Sequence, residues 1–81
     1  MELSEAAKNY VFPIGEYHGQ RPSEMLNHYL VIQKMDYLLS RDWIPEETKS
    51  IYKELINYAR NKYDWVSYIV RNETLTQRNE H

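Results

Sequence analysis

Cysteine is absent from the chain, which excludes disulfides, thiolate metal ligands and cysteine nucleophiles together. The absence fits a reducing compartment. Glycine is nearly as scarce, with Gly15 and Gly19 the only two among 81 residues. Long apolar runs are missing too. The longest, Tyr29 to Ile32, is one helical turn, far short of the ~20 residues that cross a bilayer. Met1-Glu2-Leu3-Ser4-Glu5 carries acid where a signal peptide is apolar. The expected location is therefore the cytoplasm, with no membrane segment. Nor does one charge dominate: ten Lys and Arg face twelve acids, for a formal charge of −2. No global field draws such a protein to nucleic acid or lipid.

What remains is an ordinary soluble composition, 42% hydrophobic and 27% charged. A chain this short forms one domain and buries only about 60% of its unfolded surface. Residues 1–22 read as an N-terminal segment, with a short helix over 2–10 followed by the glycine loop between Pro13 and Pro22. Helix A is expected over 23–41, with Pro22 where a missing N–H is harmless. Asp42-Trp43-Ile44-Pro45 is the turn. Helix B is expected over 45–72, opened by Glu46 and Glu47 at the positive end of its dipole. A polar tail, 73–81, completes the domain. Asn72-Glu73-Thr74 matches a glycosylation sequon, read as chance in a chain without a secretion signal.

On a helical wheel of about 100° per residue, helix B is amphipathic. Thr48, Ile51, Tyr52, Leu55, Tyr58, Ala59, Val66, Ile69 and Val70 share one face, with Trp65 at its edge. Helix A is apolar on several sides. Met25, Tyr29, Ile32 and Leu39 form one stripe, Leu26, Leu30 and Tyr37 a second, and Val31 and Leu38 lie elsewhere. One partner helix cannot cover all of these, although Tyr10, Val11, Phe12 and Ile14 can cover some. Leaving such side chains wet forgoes roughly 1.5–3 kcal/mol each. The expectation is thus an all-α helical hairpin with a short N-terminal helix and loop, assembled as a homo-oligomer.

No nucleophile elbow, phosphate loop, dinucleotide fingerprint or metalloprotease pattern is present. His18 and His28 lie ten residues apart, a spacing that suits no helical metal site. We therefore expect no enzyme, catalytic residue, metal or cofactor. The glycine loop has two readings. Tyr17, His18, Arg21 and Ser23 can clasp a phosphate or carboxylate beside free N–H groups at a helix start. Alternatively the loop only reverses the chain. Lys49, Lys53, Arg60 and Arg71 fall within about 40° on a continuous helix B and would track a phosphate backbone, or form a solvated outer face. Eight tyrosines favour a binding surface.

The run Ile14-Gly15-Glu16-Tyr17-His18-Gly19, followed by Ser23-Glu24-Met25 and Tyr29-Leu30, resembles a small family with a Phe-Gly-Lys-Tyr-Lys-Gly signature. That family comprises quorum-sensing-regulated virulence factors and is similar to C-terminal extensions of exonuclease-X-type nucleases. The resemblance implies a nucleic-acid accessory module. Glu16 and His18 stand where the family has lysine, and Ile32 where it has tryptophan. The architecture, together with Tyr63-Asp64-Trp65-Val66, also resembles small phage anti-defence proteins. Some of those sequester cyclic nucleotides and others block a defence enzyme by contact. The sequence thus leads to a non-enzymatic binding or inhibitor protein, working in the host cytoplasm if phage-encoded. It would mask a protein partner or hold a small anionic, nucleotide-like ligand. A nucleic-acid module and a purely structural oligomerisation domain are the alternatives.

Overall fold

A computed structural model of the chain describes residues 2–72; the tail expected over 73–81, with the sequon's Thr74, lies outside the described residues. Described residues form α-helices and turns and contain no strand, so the chain is all-α. The helices are α1 (Glu5–Asn9), α2 (Tyr29–Leu38), α3 (Glu46–Lys62) and α4 (Val66–Ile69), with a 3-10 turn at Pro22–Glu24.

Helix α1 starts at Ser4, whose Oγ accepts from the Ala7 N–H at 3.2 Å. This satisfies one orphan donor of the first turn. The Ser4 N–H and Oγ–H in turn donate to Glu54 Oε2 and Oε1 at 2.6 and 2.8 Å. A carboxylate of α3 therefore grips the start of α1, and Ala7 is buried beneath. The chain then docks on α3 through aromatic rings. Tyr10 meets Phe12 and Tyr52 edge-on, at 5.9 and 5.4 Å between centroids, the arrangement the ring quadrupoles favour.

The helix expected over 23–41 is much shorter. Its first part is the 3-10 turn, closed by Met25 N–H donating to the Pro22 carbonyl, after which His28 is extended. Packing explains the break. In a continuous helix Leu26 and Leu30 are i,i+4 neighbours on one face. Here Leu26 is only 7% exposed and Leu30 is 52% exposed. Breaking the helix before Tyr29 turns Leu26 inward independently of Leu30. Val31, Ile32, Met35, Leu38 and Leu39 of this segment are buried within the single chain. Most of the apolar surface that implied oligomerisation is thus covered internally, and Tyr29, Leu30 and Tyr37 stay exposed.

The helix expected over 45–72 is also interrupted. Tyr63 is extended (φ −130°, ψ 119°) and its N–H closes α3 on the Ala59 carbonyl. At about 1.5 Å per residue, an unbroken helix of that length would reach roughly 40 Å, while α2 has ten residues and spans roughly 15 Å. Val66 and Val70 would overrun their partner. The bend returns α4 to α2 and buries both. The expected apolar face is otherwise kept: Tyr52, Leu55 and Ala59 are buried, with Ile56 added.

Asp36 secures this return. The Arg71 and Asn72 N–H groups donate to its two carboxylate oxygens, both at 2.9 Å. Asn72 Nδ2 donates to the Asp36 carbonyl at 2.8 Å. The carboxylate is only 5% exposed, and such burial is tolerable because backbone donors meet it. No helix among the described residues is long and apolar enough to cross a membrane.

Candidate functional site

Both glycines have positive φ, +92° at Gly15 and +83° at Gly19, the region where L side chains are strained. They shape a closed loop. Phe12 N–H donates to the Gln20 carbonyl at 3.1 Å, and Gly19 N–H to the Phe12 carbonyl at 2.9 Å. Phe12 is buried at its base, whereas Ile14 is held out at 69% exposure.

The residues expected to clasp an anion are not gathered by this loop. Tyr17 is half-buried, its ring 6.0 Å from that of Phe12. His18 is exposed. Arg21 Nη1 lies 3.4 Å from Glu24 Oε2, and the two share a shallow depression with Gly19, Gln20 and Met25. Ser23 Oγ donates to the Lys8 carbonyl at 2.9 Å, tying the 3-10 turn to α1. Glu24 N–H is itself bonded to the Arg21 carbonyl. The basic stripe is likewise divided. Lys49, Lys53 and Arg60 remain on α3, where Arg60 Nη2 donates to Asn57 Oδ1 at 3.3 Å. Arg71 lies beyond the bend at Tyr63, so the four do not share one helix.

A different feature stands out. The loop's apolar arm and the α2–α3 turn enclose a cleft of about 390 Å³. Val11, Pro13 and Ile14 contribute from the loop, Leu38, Trp43 and Ile44 from the end of α2 and the turn, and Thr48 and Tyr52 from α3. Local structure positions each side. The α2 terminus is fixed by Ser40, whose N–H and Oγ–H both donate to the Tyr37 carbonyl, at 3.0 and 2.7 Å. Ile44 is buried and pins the turn, which leaves Trp43 62% exposed. Trp65 stacks on Tyr63 at 5.7 Å, but Trp43 makes no ring contact among the described residues.

Polar groups at the cleft are few. The Tyr10 and Tyr52 hydroxyls lie 2.7 Å apart. Burial, then the hydrogen bond to Tyr10, pushes the Tyr52 hydroxyl far above the ordinary tyrosine range, so it stays neutral and serves as no base at physiological pH. Lys34 is the one charged residue lining the cleft. The arrangement can bind an apolar group; no acid–base pair is assembled in it.

Sequence reasoning reads Trp43 only as part of a turn and Val11 and Ile14 as cover for the helices. Periodicity could not reveal the cleft, because its two sides lie roughly thirty residues apart in the chain. The available signal was chemical: a tryptophan in a turn, followed at helical spacing by Glu46 and Glu47 and by no apolar residue. Asp36 was also missed, and its signal was an acid between core positions Met35 and Leu39. No family model, curated protein or solved structure matches the chain, so the geometry alone carries the functional reading.

Proposed function

We propose that this protein is a non-enzymatic binding or inhibitor protein that masks a protein partner, taking an apolar anchor side chain of that partner into the Trp43–Ile14 cleft. One observation carries the reading. Two large apolar side chains, Ile14 and Trp43, stand mostly exposed at the edges of a concave, largely apolar surface held by buried neighbours. Tryptophan is among the residues most enriched at the energetic centres of protein interfaces. A cleft of this size lies at the low end for ligand pockets and suits one or two large side chains.

The anionic-ligand reading finds less support, because Arg21 is engaged by Glu24 and Ser23 by a main-chain carbonyl. The nucleic-acid reading loses its four-residue track at the Tyr63 bend.

The test is selection of a random dodecapeptide phage library on the protein, with a variant carrying both Trp43→Ala and Ile14→Ala as control. Selected peptides should bind the double variant at least about thirtyfold more weakly, as expected for loss of a central anchor contact. In amide NMR titrations they should shift Val11, Ile14 and Thr48. Peptides that bind both proteins equally would place the contact surface elsewhere and end the proposal.

A further inference from the structure

Lys34 distinguishes this cleft from a featureless apolar groove. It projects from α2 one turn before Leu38, is half-buried, and lines both the cleft and a neighbouring depression formed with Tyr17, Leu30 and Tyr37. No described carboxylate pairs with it: the ion pairs are Lys8 with Glu5 and Arg21 with Glu24, and the Lys34 side chain makes no hydrogen bond among the described residues. Glu46 and Glu47, which follow Pro45 in sequence, are not among the residues lining the cleft. Among the described residues no acid lines the cleft beside this cation; Glu16 lines the neighbouring depression and is not paired with it.

A second cation lies beside Tyr37. Arg41 places its guanidinium 5.2 Å from the centre of the Tyr37 ring and donates from Nη1 to the Tyr37 hydroxyl at 3.3 Å. Its Nε is buried without a hydrogen-bond partner. Lys34, Tyr37 and Arg41 are spaced at intervals of three and four along the helix and the turn after it, so both cations flank one tyrosine. Glu16 is the acid on this side, and it belongs to the neighbouring depression. The charge presented at the cleft itself is positive.

We infer that the partner segment is an acidic amphipathic peptide, with a large apolar anchor between Trp43 and Ile14 and an Asp or Glu within about four residues that pairs with Lys34. The inference rests on the cleft being the contact surface. The chemistry is complementary at both ends. The anchor meets a surface whose water is readily displaced, and the carboxylate meets the ammonium of a half-buried lysine. A charge-assisted hydrogen bond in such a place is stronger than an exposed ion pair. An apolar anchor with a lysine beside it would set like charges together, so the same cleft discriminates between partners.

The dodecapeptide selection tests this through the sequences it returns. Peptides selected on the wild type should carry Asp or Glu within four positions of the anchor. Replacing that acid with Lys in one such synthetic peptide should weaken binding about tenfold, as for loss of a hydrogen bond to a charged group. Lys34→Glu, checked for folding by its amide spectrum, should reverse the preference. Peptides that need Trp43 and Ile14 but show no acidic preference would overturn the inference and leave the cleft reading standing. An acidic preference unchanged by Lys34→Glu would overturn it as well. Peptides insensitive to Trp43 would end both. Self-association through the cleft would appear as loss of peptide binding at high protein concentration, and would replace the acidic partner with a second copy.

Discussion

Gly15 and Gly19 show how much a single residue decides here. Each holds a positive φ, and a Cβ added at either would meet nothing within 4 Å. The requirement is therefore one of backbone conformation and owes nothing to space. Alanine in the left-handed region costs roughly 1–2 kcal/mol, offset in part by the lower entropy of the unfolded chain. Gly15→Ala and Gly19→Ala should each lower stability by about 1 kcal/mol in urea unfolding, and asparagine should be milder at either position. An unchanged midpoint would mean that the loop relaxes at no cost. This much was legible in the sequence, because glycine concentrated in one short stretch of a helical chain announces a special conformation. The purpose of that conformation was not. The loop closes on Phe12 and presents Ile14, and the donors read as an anion clasp turn to separate tasks: Arg21 toward Glu24 and Ser23 toward α1.

At the scale of elements, the kind of structure was readable and its limits were not. Helix B declared itself by periodicity, and its apolar face packs as expected over the length of α3. Periodicity is local, however, and both breaks answer to distant partners. Leu26 turns in to join the core with Phe12 and Ile32, and the bend at Tyr63 exists because α2 is short. The separation of Leu26 from Leu30 makes a direct test. Leu26→Ala removes buried methyl groups and should cost about 2–4 kcal/mol, while Leu30→Ala should stay within about 0.5 kcal/mol. Thermal or urea unfolding of the two variants measures the difference. Equal effects would mean that the helix runs unbroken from Ser23 in solution.

For the whole molecule, the question is how much apolar surface remains to drive association once one chain has folded. Five apolar residues of the helix A segment, Val31, Ile32, Met35, Leu38 and Leu39, are buried without any second copy. Tyr29, Leu30 and Tyr37 stay about half exposed, and three such side chains offer only a few hundred Å² in total. A stable interface buries about 800 Å² on each partner, so this face alone supports weak pairing. Light scattering during gel filtration should show monomer at about 10 µM and a dimer growing toward about 1 mM, the range that so small a contact allows. A double variant with Leu30→Glu and Tyr37→Glu should remain monomeric throughout while keeping its helical circular dichroism, since neither side chain belongs to the core. A tight oligomer at micromolar concentration, or one that survives both changes, would mean that another surface assembles the protein. The exposed Trp43 and Ile14 would then be the first residues to test, because a second copy seated in their cleft would bury the surface the proposed partner needs.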